Sequence, residues 1–216
     1  MTASQPYARM LSELEINSAA VERLEIFEAL LQRWSKVKNL VASSTLTDVW
    51  VRHFIDSAQV QRAAPRAKVW ADLGSGAGFP GLVTAILLAD TPDSLVHLIE
   101  ADRRKCAFLR AVSRETGCRT VVHCERIENV VGTLAGIEAV SARAVAALPK
   151  LVTWSEPLLD MGAIGVFLKG RDVQGELTEL TTNSSFIATL STSISPGGGT
   201  LVLVRRRIGP TFGAST

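Results

Sequence analysis

One stretch constrains this chain more than any other: Val69-Trp-Ala-Asp-Leu-Gly74-Ser-Gly76-Ala-Gly78-Phe-Pro-Gly81. An apolar, strand-like run ends in Asp72, and glycines then recur at every second position. Glycine reaches positive φ without a steric penalty and lets a ligand approach the main chain. Pro80 suits the first turn of a helix, where its missing N–H would be unpaired anyway. Strand, glycine turn and helix together open a βαβ unit. The loop amides are therefore expected at the carboxyl edge of a parallel sheet, facing a ligand.

The rest of the chain agrees with that opening. Strands are predicted at Val69–Leu73, Leu95–Glu100, Thr120–His123, Ala139–Arg143, Ala163–Leu168, Phe186–Leu190 and Leu201–Arg205. Helices are predicted at Pro80–Leu88, Arg103–Thr116, Ala147–Leu159 and Gln174–Thr181. This alternation gives a doubly wound α/β sheet of seven strands, mostly parallel. The exception follows Pro196-Gly-Gly-Gly199, which turns the last strand back as a hairpin, so one strand is expected antiparallel. Residues 1–66 read as helical instead. Val21, Leu24, Phe27, Leu31 and Trp34 make one apolar stripe, Ser18 is the expected N-cap, and a second helix is expected over 46–61. The 216 residues thus divide into a helical extension (1–66), a core (67–207) and a loose tail (208–216), within one domain.

Composition narrows the function classes. No apolar run approaches the roughly 18 residues of a spanning helix; the best is Gly81–Ala89. Acids within the first fifteen residues occupy the place of a leader's apolar stretch, so a cytoplasmic protein without a membrane association is expected. Cys106, Cys118 and Cys124 form no CxxC pair, and His53, His97 and His123 form no HxH or HExxH, so no metal is expected. The net charge is only +2, but residues 33–72 carry seven bases against three acids, and Arg205, Arg206 and Arg207 stand together near the end. That asymmetry is compatible with a polyanionic partner.

The ligand of the glycine loop follows from what the loop lacks. A dinucleotide fingerprint would have its third glycine at 79, where this chain has Phe79. A GxGxG loop after a strand-end acid suits S-adenosylmethionine better, whose ammonium and sulfonium a carboxylate such as Asp72 can attract directly or through water. Glu100 ends the second predicted strand, where an acid can accept both ribose hydroxyls of an adenosyl cofactor. A nicotinamide dinucleotide would be held in the same way, so Glu100 alone does not choose. Ile127 and Glu128, past the third strand, are candidates for the adenine slot. Arg143 and Lys169 end the fourth and fifth strands, on the ligand-binding edge.

Missing residues exclude chemistries. The fourth strand ends Ser141-Ala-Arg-Ala144, not in the (Asp/Asn)-Pro-Pro-aromatic clamp used for exocyclic amines. No cysteine stands where a nucleophile for pyrimidine carbon five would be needed. Oxygen acceptors usually ask for a base or a metal, and no such set is evident. Guanine N7 needs neither: it carries no proton and offers a lone pair, so alignment and exclusion of water suffice.

Asp72-Leu-Gly-Ser-Gly-Ala-Gly-Phe-Pro-Gly81 resembles the cofactor loop of the bacterial small-subunit ribosomal RNA guanine-N7 methyltransferases, also called glucose-inhibited division protein B. Asn39-Leu40, Arg52-His53, Asp56-Ser57, Lys105, Leu109-Arg110, Arg143-Ala144 and Lys169-Gly170 match that family's pattern in order, over about residues 20–206. One departure is Ala142, where the family has serine before the arginine. The resemblance implies a Rossmann-like class I S-adenosylmethionine-dependent methyltransferase with extra N-terminal helices. It implies methylation of N7 of one guanine, position 527 in the 530 loop of 16S rRNA, with the small ribosomal subunit as partner and a monomeric enzyme. Gly74, Phe79, Ile127, Glu128 and Arg143 would contact the cofactor, beside Asp72, Gly76, Gly78 and Glu100. Asn39, Arg52, His53 and Lys169 would grip RNA or position the guanine. Three rivals remain: a nicotinamide-dependent oxidoreductase, a non-catalytic RNA-binding protein that retains the nucleotide fold, and a small-molecule methyltransferase.

Overall fold

The structure, a computed structural model, describes residues 4–38, 49–170, 173–181, 185–195 and 198–207. Asn39, the start of the helix expected over 46–61, and the tail 208–216 lie outside the described residues.

Seven strands form one sheet in the order β3-β2-β1-β4-β5-β7-β6. They are β1 (Val69–Leu73), β2 (Leu95–Ile99), β3 (Thr120–His123), β4 (Ala139–Arg143), β5 (Ile164–Lys169), β6 (Phe186–Thr192) and β7 (Thr200–Arg206). Strands β1 to β5 pair in parallel, and β7 runs antiparallel between β5 and β6. The fold class expected from the sequence is therefore the one observed. The chain steps outward from β1 to β3 and then returns to place β4 on the other side of β1. That reversal opens a crevice beyond the carboxyl ends of β1 and β4, where ligands of doubly wound sheets bind.

Helices cover both faces. Those that follow the strands are α4 (Gly81–Leu87), α5 (Arg103–Thr116), α6 (Ile127–Val130), α7 (Leu148–Asp160) and α8 (Gln174–Thr181). Before them come α1 (Ala8–Glu13), α2 (Ser18–Lys38) and α3 (Asp56–Ala63). The predicted stripe of α2 is the buried one: Leu24, Phe27 and Leu31 are fully covered, with Val21 and Trp34 at its margins. Phe27 meets Phe54, Phe79 and Phe108, so α2 packs at once on the turn that precedes α3, on the cofactor-loop phenylalanine and on α5. The N-cap is Asn17, not Ser18: its Oδ1 accepts the Ala20 amide at 2.8 Å.

The second N-terminal helix departs from ideal geometry. Trp50–Ile55 winds as a π-helix before α3 continues in α form. Such wide turns concentrate at functional positions, and this one carries His53. From α3, Asp56 and Gln59 reach the β6–β7 connection. Ser193 donates to Asp56 Oδ1 at 2.7 Å, and the Ile194 amide donates to Gln59 Oε1 at 2.9 Å. The helical extension is thereby fastened to the far end of the sheet, one turn after His53.

Candidate functional site

A cleft of about 480 Å³ opens at the crevice between β1 and β4. Its floor is the glycine loop. Gly74 has a φ of +66°, and a Cβ there would lie 2.7 Å from Val145 Cγ2. Glycine at 74 therefore serves both the turn and the close approach of the loop after β4. The Gly76 amide donates to Glu100 Oε2 at 2.8 Å, and the Asp102 amide donates to Glu100 Oε1 at 2.8 Å. Two backbone donors thus fix the Glu100 carboxylate at the edge of the cleft, with lone pairs left for hydroxyls. Asp102 in turn caps α5 by accepting from Arg104 and Lys105 amides.

The structure brings together Gly74, Gly76, Phe79, Glu100, Ile127, Glu128, Arg143 and His53 as lining residues. Asp72 and Gly78 are not among them. Asp72 is fully buried beneath the loop, its Oδ1 accepting from the Ser141 hydroxyl at 2.6 Å and its Oδ2 lying under Gly81. Burial pushes its carboxyl up to about 6, against the pull of the Ser141 hydrogen bond. The expected attraction between Asp72 and the cofactor's charged groups therefore has no direct geometry here; Asp72 anchors the start of α4. Gly78 shapes the turn, its amide donating to the Ser75 carbonyl at 2.7 Å.

Lys169 is likewise engaged elsewhere. Its Nζ donates to the Ala146 carbonyl at 2.8 Å and pairs with Glu176 at 2.9 Å, and Glu176 also accepts the Leu148 amide. The expected RNA-gripping lysine is instead a clasp that sets the loop between β4 and α7. Arg52 is exposed beside the cleft, and Arg126 and Lys105 line it.

The wall beside Phe79 has the most unusual chemistry. His53 is 8% exposed and stacks on Phe79 with ring centroids 4.8 Å apart and planes 28° from parallel. Arg143 Nη2 lies 2.6 Å from His53 Nδ1. A guanidinium can only donate, so Nδ1 accepts and the ring proton sits on Nε2. Burial, then the Arg143 charge, lowers the His53 pKa to about 4. His53 is therefore neutral at pH 7, its one basic lone pair already used. Among the described residues, His53 Nε2 and Arg143 Nη1 are buried without hydrogen-bond partners, two donors left unused.

A stability prediction follows. The folded pKa lies below the ordinary value near 6.5, so the unfolded chain takes up the proton first on acidification. The contribution of neutral His53 is complete above about pH 6.5 and is lost as pH falls toward about 4. In thermal melts, His53→Gln should be least stable relative to wild type above pH 6.5, and the gap should narrow on acidification. A gap that widens toward pH 4.5 would contradict the assignment.

Sequence reasoning missed Trp154, which α7 carries into the cleft wall. A lone aromatic in an amphipathic helix gives no signal that separates a ligand wall from core packing. Its Nε1 donates to Glu128 Oε1 at 3.1 Å. Among the described residues, no group of three histidines, cysteines or acids could hold a metal ion, and no helix is long and apolar enough to cross a membrane.

Comparison with known proteins places this geometry. The family described as rRNA small subunit methyltransferase G (GidB) matches residues 20–199. The chain belongs to the rRNA small subunit methyltransferase G family. Curated relatives of that name include one from Methylobacterium sp. (strain 4-46), 46% identical over 83% of this chain and 85% of its own. Another, from Methylorubrum extorquens, is 45% identical over 91% and 93%. Among solved structures, cofactor-bound Rv0187 from MTB superposes with a TM-score of 0.62 at 15% identity, covering 97% of this chain and 99% of that one. The S-adenosylmethionine complex of the O-methyltransferase TomG from Streptomyces achromogenes gives 0.59 at 17% identity, covering 95% and 99%. These two share the fold. As a methyltransferase G family member, the protein is an S-adenosylmethionine-dependent methyltransferase, and the cleft fits that cofactor. Glu100 is held at the cleft edge by two backbone amides, and Phe79 stands where a dinucleotide fingerprint would have its third glycine.

Proposed function

We propose that the protein methylates N7 of a guanine in 16S rRNA, position 527 of the 530 loop, using S-adenosylmethionine held by the glycine loop. The observation that carries this reading is the wall of neutral His53 and cationic Arg143, which offers no free proton acceptor. Neither group can accept a proton: Arg143 has no basic lone pair, and Arg143 itself occupies that of His53. Such a wall is unsuited to an acceptor that must be deprotonated, and suited to one that has only to be aligned. S-adenosylmethionine, when bound, would supply a methyl group on a positively charged sulfur; the purine nitrogen's lone pair would take it as the carbon–sulfur bond breaks, leaving a neutral thioether and the positive charge on the purine. His53, Phe79 and Arg143 would orient the purine and exclude water; Gly74, Gly76, Glu100, Ile127 and Glu128 would hold the adenosyl part.

The mouth of the cleft favours a polyanion. Its acids are occupied within the protein: Glu100 and Asp102 by backbone amides, Glu125 by Asn129, and Glu128 by Trp154. Arg52, Arg104, Lys105 and Arg126 form no ion pair among the described residues. Those four cationic side chains would meet the phosphates of an RNA backbone lying there. On this reading residues 1–66 are an RNA-facing extension of a single-domain, monomeric, cytoplasmic enzyme acting on the small ribosomal subunit.

Transfer of a labelled methyl group to small subunits lacking the modification tests it. Label is expected on one guanine, at a site that aniline cleaves after reduction. Label on another atom, or on none while protein and cofactor are intact, would overturn it.

A further inference from the structure

We infer that Trp154 forms the wall on which the cofactor's adenine ring stacks. The inference rests on the S-adenosylmethionine reading of the cleft and assigns a residue within it. Trp154 is half-buried and lines the cleft at the end that also holds Ala101, Ile127 and Glu128; His53, Phe79 and Arg143 lie toward the other end, beside β4. Glu100, directly after β2, is bonded to Gly76 of the glycine loop, and a ribose held there would bring its base within reach of Ile127 and Glu128, which Trp154 adjoins through its bond to Glu128.

The indole is held before any ligand arrives. Glu128 fixes its Nε1 edge at 3.1 Å, and Lys150 Nζ sits 4.8 Å from the ring centroid, covering one face. With that edge and that face taken, the opposite face is the one left to the cleft. A ring already fixed on two sides loses little freedom when a base stacks on it. Stacking of a base on an aromatic side chain is commonly worth a tenfold change in affinity or more. Glu128 then acts in part through Trp154, as a positioning residue.

The other tryptophans cannot mimic the signal. Trp50 and Trp70 are almost fully buried, and Trp34 packs on Phe108 at 5.5 Å. Titration of the full chain with S-adenosylhomocysteine, followed by calorimetry and by tryptophan emission, tests the inference. Wild type should show ligand-dependent quenching. Trp154→Phe, which keeps an aromatic face, should bind within about threefold of wild type without that quenching. Trp154→Ala should bind about tenfold more weakly, with RNA affinity unchanged. Quenching that persists in Trp154→Phe would overturn the inference, as would full ligand affinity in Trp154→Ala, or a loss in RNA affinity instead. Wild type that binds no S-adenosylhomocysteine would remove the cofactor reading itself, a result separable from failure at Trp154 alone.

Discussion

Glu100→Ala is expected to weaken S-adenosylhomocysteine binding about a hundredfold, whereas Asp72→Asn changes it less than about threefold. Both are strand-end acids near the glycine loop, and the sequence makes them look equivalent. The structure separates them by orientation. Glu100 is held at the cleft by the Gly76 and Asp102 amides, each at 2.8 Å, and can accept two ribose hydroxyls. Hydrogen bonds to a charged acceptor contribute about 1.5–3 kcal/mol each, so losing two, with water in partial compensation, gives roughly two powers of ten. Asp72 is fully buried and bonded to Ser141, with the loop between it and the cleft. Calorimetric titration of both variants decides the matter; an equal loss in the two, or a larger one in Asp72→Asn, would refute the assignment. Asp72 leaves a separate mark. Its carboxyl, pushed up to about 6, keeps its proton in the folded state while the unfolded chain releases it near 4. Stability therefore falls as pH rises through that window, and Asp72→Asn should remove that slope.

The two orientations were partly legible. Side chains alternate along a strand, so Asp72 shares a face with Trp70, the face that α2, α4 and α5 cover. Parity alone thus turned Asp72 toward the helix that follows the loop. The element boundaries were legible for a related reason: β1, β3, β4 and α5 begin and end where glycine, proline and charged residues interrupt apolar runs. Legibility ended where a distant partner decides the outcome. The capture of Lys169 depends on Glu176 and on the Ala146 carbonyl, in segments whose relative placement only the folded sheet defines. The saturation of His53 depends on an arginine ninety residues away. Asn17 and Ser18 are both good cap residues, and only the geometry of the first turn chose between them.

Gly81→Ala should be among the most damaging single-methyl additions in the chain, although Gly81 lies outside the cleft and its φ is not positive. A Cβ at Gly81 would stand 2.5 Å from Asp72 Oδ2, 2.5 Å from Leu98 Cδ2 and 2.7 Å from Asp72 Cβ. Asp72 and Leu98 are fully buried and are register partners on β1 and β2, so neither can retreat without disturbing the centre of the sheet. Overpacking of this kind costs about 3 kcal/mol, which lowers the melting temperature of a domain this size by roughly 10 °C. Gly175→Ala is the matched control, because among the described residues nothing lies within 4 Å of a Cβ there, and it should melt within about 2 °C of wild type. If Gly81→Ala melted as high as the control, the tight seating of α4 on β1 and β2 would be wrong. The position of the loop amides would then lose its support, since α4 begins at Gly81, directly after the turn that fixes them, and Asp72 is the group on which that start rests.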